Sequence, residues 1–284
     1  MTRKSAFLED RGVVRVSGED AAGFLHNLVT NDVEALEIGQ ARYAALLTPQ
    51  GKILFDFLVV RAPAETGAAY LLDCDRARAA DLAKRVSIYK LRAKVTVADE
   101  SADCGVVATW AGEPEEIAGG SAYRDPRAAS LGFRAILPRA EAIAVGAAEV
   151  GEYEALRIGL GVPKGGVDFA YGDVFPHDAD MDLIGGVDFK KGCYVGQEVV
   201  SRMKHRGEAR KRIVRVRLAG PAPAPGVEIT DGERPVGVLG SSAGRDALAL
   251  LRLDRAEEAA VAGRALSAAG VGLAIVEDKV EAQP

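Results

Sequence analysis

The chain has 284 residues, of which 48% are hydrophobic and 27% charged, and it carries a formal net charge of −5. That length can bury a substantial core and hold two or three modules, and the charge gives no global reason to expect nucleic acid. No apolar run approaches the ~20 residues that a membrane helix requires, and Met1–Asp10 lacks the apolar segment of a secretory signal. Cys74, Cys104 and Cys193 are few and widely spaced. This argues against a disulfide framework and a four-cysteine metal site, and for a reducing, cytoplasmic setting.

In chain order, Val13–Val16 reads as a strand, and Ser17–Asp20 as a turn and cap leading into a helix over Ala21–Val29. Ala21, Phe24, Leu25 and Leu28 lie on one face of that helix at helical spacing. Thr30–Val33 ends it with turn-favouring side chains. His26 reads as an ordinary surface or hydrogen-bonded histidine. Ala41–Thr48 and Ile53–Val60 are β-prone runs separated by Pro49–Lys52, the pattern of a hairpin. Tyr70–Cys74 is a further strand, and residues 76–90 form a helix with Leu82, Val86 and Tyr89 inward. Lys94–Ala98, Gly105–Trp110 and Gly132–Leu137 complete a set of short strands. Cys74 and Cys104 fall in or beside strands, where small buried thiols are usual. Hairpins mixed with isolated helices predict an α+β architecture with antiparallel sheet.

Glu152–Leu160 is a helix with Tyr153, Leu156 and Leu160 inward, closed by Gly161 and Pro163. Gly165–Asp188 is rich in glycine and acid, and an ordered loop of that length is often functional. Its His177–Asp182 stretch lacks the calcium-loop pattern, so its acids read as solvated. From Lys211 the texture becomes short strands at Ile213–Leu218, Val227–Ile229, Pro235–Leu239, Ala247–Leu251 and Gly272–Val276, which predicts a small antiparallel barrel. Lys279–Pro284 reads as a frayed tail.

The densest chemistry lies in Phe189–Arg202. Gly192 and Gly196 flank Cys193 and free the backbone for a sharp turn or close approach. A helix over Gln197–Met203 would bring its positive end near the thiol, and Lys190, Lys191 and Arg202 add positive charge, all of which favour a reactive cysteine. Between Lys190 and Arg217 there are ten Lys/Arg against two Asp/Glu, a net of +8 that leaves −13 for the rest of the chain. Such a face could land an anionic ligand or polymer, but few aromatics lie among the cations, which weakens a single-strand stacking platform. His177 and His205 are the nearest candidate bases for a hydrolase, and nothing in their spacing fixes a Cys–His pair.

At Lys191-Gly192-Cys193-Tyr194-Val195-Gly196-Gln197-Glu198, with Arg202 and Arg206-Gly207 behind it, the chain resembles the YgfZ family. These are folate-binding proteins related to the aminomethyltransferase (T-protein) of the glycine cleavage system. Further matches run through Val16–Ala21, Phe24-Leu25, Leu28–Val33, Leu47–Ile53 and Arg157–Pro163. The resemblance implies a three-lobed aminomethyltransferase-like folate-binding fold with a small C-terminal β-barrel. Its expected divisions are residues 1–48 with 138–207 as a first, folate-binding lobe, 49–137 as a second α+β lobe, and 208–284 as the barrel.

It also implies tetrahydrofolate, or a derivative, as cofactor, while three cysteines are too few for a conventional cluster site, so no stably bound metal is expected. The partners expected are iron–sulfur client enzymes or cluster-assembly proteins, including enzymes that modify tRNA. Cys193 takes the place of the family's reactive thiol. Lys191, Tyr194, Gln197 and Glu198 take the places of its other motif residues, and Asp56, Arg157 and Arg202 join them around the folate. Two departures separate the chain from true aminomethyltransferases. Phe55-Asp56 stands where those enzymes carry paired acids, and Gly159 stands where a glutamate is common, which removes groups that aminomethyl transfer needs for moving protons. A tetrahydrofolate-binding accessory protein for iron–sulfur enzymes is the leading expectation. The alternatives are a folate-dependent aminomethyl or one-carbon transferase, and a tRNA-binding module using the basic face, with nucleic acid bound weakly at most.

Overall fold

The computed structural model describes residues 3–112, 121–206 and 209–276, without the side chain of Arg206. The expected tail at Lys279–Pro284, and Gly207 of the motif, lie outside the described residues. The chain opens with β1 (Lys4–Phe7), β2 (Arg11–Gly18), α1 (Ala21–His26), β3 (Ala41–Leu47), β4 (Ile53–Ala62) and β5 (Ala68–Asp75). It continues through α2 (Ala79–Ile88), β6 (Thr96–Asp99), β7 (Cys104–Trp110), β8 (Ser121–Arg124), β9 (Phe133–Pro138), α3 (Arg139–Val145), α4 (Val150–Gly159) and α5 (Gln197–Arg206). The last part holds β10 (Lys211–Leu218), β11 (Glu228–Thr230), β12 (Pro235–Ala243), β13 (Asp246–Arg252), α6 (Leu253–Val261), β14 (Leu266–Ala268) and β15 (Val271–Ile275).

These strands make a five-stranded sheet in the order β3-β4-β5-β2-β6, a four-stranded sheet in the order β1-β7-β9-β8, and a closed barrel, all antiparallel. The expected division after residue 48 falls inside the β3–β4 hairpin, whose strands pair from Ala41↔Val60 to Leu47↔Ile53. The barrel's six strands include β14, too short to stand out in the sequence.

Side chains alternate across a strand, so each strand of the larger sheet feeds two cores. Its outer face places Val14, Val16, Ala44, Leu46, Phe57, Val59 and Leu72 beneath α1 and α2. Its inner face turns Val13, Tyr43, Leu58 and Leu71 toward Val106, Trp110 and Ile136 of the smaller sheet. Burial on both faces explains why β3 and β4 read as continuous apolar runs.

By the same alternation Arg11, Asp56 and Asp73 also point to the inner face, where Arg134 of β9 meets Asp73. Arg134 donates to Asp73 at 2.6 Å, to Asp125 at 3.1 Å and to the Tyr153 hydroxyl at 3.0 Å. Arg11 reaches Asp73 at 2.5 Å, and Arg127 reaches Asp125 at 2.7 Å. Burial opposes the ionisation of both acids. Arg11 and Arg134 on Asp73, and Arg127 and Arg134 on Asp125, nevertheless hold both below the usual carboxylate range.

A second polar joint ties the body to the barrel. Arg157 of α4 donates to the Val162 carbonyl at 2.7 Å, to Asp168 at 3.0 Å and to Ser241 of β12 at 2.8 Å. Asp168 in turn accepts from the Ser241 amide at 2.6 Å. A Cβ on Gly240 would lie 2.3 Å from the Asp168 carboxylate, so this contact needs glycine.

Three sequence expectations change. The first helix stops at His26 rather than Val29, because Val29 forms a β-bridge with Leu46. The helix expected over 76–90 begins with a 3-10 turn at Arg76–Arg78 and ends at Ile88. The acids of His177–Asp182 are not all solvated: Asp178 and Asp180 are buried, and Arg212 at the start of β10 supplies the countercharge, 3.2 Å from Asp180 and 2.5 Å from Asp182.

Arg134→Ala should cost about 3–5 kcal/mol in urea unfolding, because it leaves two buried carboxylates short of a partner. The depressed acids also fix a pH response. Their contribution is complete above the unfolded carboxyl value of about 4 and is lost as pH falls through the lower folded values. Wild-type stability should therefore drop below about pH 4, and less steeply in Asp125→Asn.

Candidate functional site

Residues 188–196 form a loop between the inner core and α5, and the conformation of its first part is set by six hydrogen bonds. The Asp188 carboxylate accepts from the Lys190 amide at 2.7 Å and the Lys191 amide at 3.2 Å, a local turn, while the Asp188 amide donates to the Thr30 carbonyl at 3.0 Å. The Lys191 ammonium donates to the carbonyls of His26 at 2.5 Å, Val29 at 2.7 Å and Asn31 at 3.0 Å. These are the carbonyls left over at and just past the end of α1, where a cation also meets the negative end of the helix dipole. Burial pushes the Lys191 ammonium down to about 8, against the pull of Asp32, Asp188 and Glu34.

The loop then crosses the end of the β3–β4 hairpin. Tyr194 enters the inner core, and the next residue, Val195, packs on the outer one. The Lys191 Nζ lies 5.2 Å from the Tyr194 ring centroid, and burial pushes the Tyr194 phenol up to about 12. Gly196 has φ +83°, and a Cβ there would sit 2.5 Å from the Thr48 carbonyl and 3.0 Å from the Gly51 Cα. Gly51, with φ +82°, leaves room in turn for Val199. The two glycine-bearing motifs therefore meet backbone to backbone, and glycine is required on both sides. Gly192 differs: nothing lies within 4 Å of its missing Cβ.

With Lys191 and Tyr194 buried beneath it, Cys193 stands exposed at the crest. Phe189, at the start of the loop, packs against the His177 ring at 5.9 Å, and Lys204 near the end of α5 places its ammonium 3.6 Å from the Phe189 centroid. The other two thiols are withdrawn. Cys74 is buried, with its thiol pushed up to about 12 by desolvation, and burial raises the half-buried Cys104 as well.

Of the expected site residues, Lys191, Cys193, Tyr194, Gln197, Glu198 and Arg202 come together in this loop–helix unit, with Glu198 and Arg202 on its exposed face. Asp56 and Arg157 have their partners elsewhere. Asp56 accepts from Tyr43 at 3.0 Å and from Tyr171 at 2.5 Å, and Gly165 packs so closely that a Cβ would lie 2.4 Å from the Asp56 carboxylate. Arg157 is 2% exposed and bound to the barrel joint. Asp56, Arg157 and Lys191 thus each have polar partners within the protein. Sequence reasoning passed over Asp188 and Gly51. The Asp-x-Lys-Lys turn and the Pro-Gln-Gly spacing were the available signals.

Lys191→Met should keep the stem and lose the three carbonyl contacts, lowering stability by about 1–3 kcal/mol and speeding amide exchange across 188–196. Gly196→Ala and Gly51→Ala should each destabilise, and the pair by less than the sum of the singles, because both strain the same contact.

Comparison with known proteins separates the two parts of the chain. Residues 7–119 match the GCVT N-terminal domain, and residues 210–280 match the CAF17 C-terminal beta-barrel domain. Aminomethyltransferase T of the glycine cleavage system from Bartonella henselae superposes with a TM-score of 0.73 at 17% identity, covering 98% of this chain and 86% of that one. The fold is therefore that of the aminomethyltransferases, with the closed six-stranded barrel at its C-terminal end.

The iron–sulfur cluster assembly factor IBA57, mitochondrial, of Mus musculus is 35% identical over 279 residues, covering 86% of this chain and 76% of the relative. Its Homo sapiens counterpart is 33% identical with the same coverage. The IBA57 homolog of Mycosarcoma maydis is 39% identical, and the chain spans 61% of that relative's length. The octet's likeness to YgfZ thus reflects a related family, and the assignment is corrected by relatives that match across most of the chain: the protein belongs to the IBA57 family.

Proposed function

We propose that this protein is an accessory factor for iron–sulfur enzymes and presents Cys193 to a partner protein during assembly or repair of their clusters. The observation that carries this reading is the contrast among the three thiols. One stands exposed on a loop fixed at both ends, and the other two are buried or half-buried. A single accessible cysteine cannot by itself hold a conventional cluster, which takes four protein ligands. Its chemistry is completed by groups from outside the chain. The relatives named above are described as iron–sulfur cluster assembly factors, which supports the same reading.

Aminomethyl transfer is the weaker alternative. Phe55 lies under the Arg78 guanidinium at 4.8 Å, so an aromatic ring fills the place where the enzymes carry an acid. The space beside Gly159 is open, so packing does not demand glycine there, and no side chain is present to serve a proton transfer. The relatives are described as mitochondrial, and among the described residues no helix is long and apolar enough to cross a membrane. Three unpaired cysteines fit a reducing compartment, whether the cytoplasm or a mitochondrion.

Cys193→Ala should keep the wild-type melting temperature and fail to restore iron–sulfur enzyme activity in a deletion strain, tRNA-modifying enzymes included, whereas Cys104→Ala restores it. Full rescue by Cys193→Ala would overturn the reading. Calorimetric titration with tetrahydrofolate tests the folate expectation separately. With Asp56 engaged by two tyrosines, Asp56→Asn should leave any binding heat unchanged, and a saturable heat lost in that variant would return Asp56 to a folate site.

A further inference from the structure

We infer that the outer face of α5, together with Lys190, is a cationic docking surface beside Cys193 for an acidic protein surface. The inference rests on the reading of Cys193 as a thiol presented to a partner, and adds what that partner must look like. Val200 is buried and Val199 and Met203 are half-buried, so this side of α5 faces the body. Glu198, Arg202 and His205 recur at i, i+4 and i+7 on the exposed side, with Lys204 next to them. Among the described residues Lys190, Arg202 and Lys204 have no ion-pair partner, and Glu198 is the one acid on the helix.

These charges lie close to the thiol. Arg202 and Lys204 are about 7–11 Å along the helix axis from Gln197. Lys204 folds back onto Phe189, at the start of the cysteine loop. That span is comparable to the Debye length of ~8 Å at physiological salt, so a partner surface arriving at Cys193 meets these charges only partly screened. Across the loop the sign reverses. Asp32, 3.2 Å from the His26 ring nitrogen, and the exposed Glu34 lie on the side of α1. A surface with cations on one flank of the thiol and acids on the other fixes the orientation of its partner as well as its charge.

Single-stranded nucleic acid fits this face less well. The neighbouring aromatics are Tyr194, buried under the loop, and Phe189, sandwiched between His177 and Lys204. Neither ring is open for a base to stack on.

The test uses thiol–disulfide exchange on the full chain. Two peptides of equal length, one rich in Glu and one rich in Lys, each carry a cysteine as its 2-pyridyl disulfide. The Cys193 sulfur attacks the peptide sulfur, the mixed disulfide forms, and pyridine-2-thione leaves and is read by absorbance. Cys193→Ala gives the background from the other thiols. The Glu peptide should react at least ~10-fold faster than the Lys peptide at low salt, with the difference collapsing toward 0.5 M salt, roughly as screening predicts. Combined Lys190→Glu, Arg202→Glu and Lys204→Glu should reverse the preference once each peptide rate is divided by the rate with 2,2′-dithiodipyridine, a neutral reagent that reports the change in intrinsic thiol reactivity caused by the new charges.

Equal rates for the two peptides, or a preference indifferent to salt, would overturn the inference. So would protection of Cys193 by single-stranded RNA at concentrations where polyglutamate of equal charge gives none. In the deletion strain the charge-reversed variant should rescue poorly. Its full rescue, with Cys193→Ala still failing, would sink the docking surface and leave the role of the thiol standing.

Discussion

Arg134 carries its charge between two sheets with almost no access to water, and the body of the protein closes around it. It is held by Asp73 from the larger sheet and by Asp125 beside the smaller one, so neither sheet can move off the other without leaving an ion unpaired. Apolar contacts alone could bring the two faces together in several registers, because Val, Leu and Ile pack with little directional preference. A guanidinium shared by two carboxylates and a tyrosine accepts one arrangement. The desolvation cost is large and is offset only in that geometry, so the buried charges act on uniqueness of the fold more than on its net stability.

The cysteine loop depends on that frame at second hand. The hairpin end holding Gly51 is positioned by the larger sheet, and α1 is positioned by its packing on the outer face of the same sheet. Gly196 docks on the first, and the Lys191 ammonium docks on the end of the second. The loop is therefore located by backbone atoms of two rigid elements, with Tyr194 and Val195 anchored in opposite cores. Such a loop loses little conformational freedom when a partner arrives, which removes part of the usual entropic cost of association.

Much of this was legible in the sequence, for identifiable reasons. The β3–β4 hairpin, α4 and the barrel announced themselves through apolar runs, helical spacing and punctuating turns, all of which are local. The octet marked the site because glycine, cysteine and cations at that density have no simple packing explanation. What the sequence hid was the engagement of its polar side chains. Lys191 looks like a ligand-binding cation, yet its partners are carbonyls some 160 positions away. Arg157 looks the same, and instead joins α4 to Ser241 in the barrel. Nothing in local sequence separates a cation that awaits a ligand from one already satisfied by distant backbone. The early end of α1 was hidden likewise, since it is set where Val29 turns aside to pair with Leu46.

Asp56 and Cys193 stand at opposite extremes of exposure within this aminomethyltransferase fold. Asp56 faces the inner core with both oxygens held by Tyr43 and Tyr171, and the side chains around it are packed rather than open. Cys193 by contrast stands exposed at the rim, above a saturated base. A single sulfur can be at most one ligand among the four that a conventional cluster takes, so contact with a cluster would be brief unless the two proteins hold each other by other means. Affinity and orientation then have to come from the surface around the thiol. That requirement gives the sign change across the Cys193 loop its physical significance: it lets a weak covalent contribution be made at one place and in one orientation.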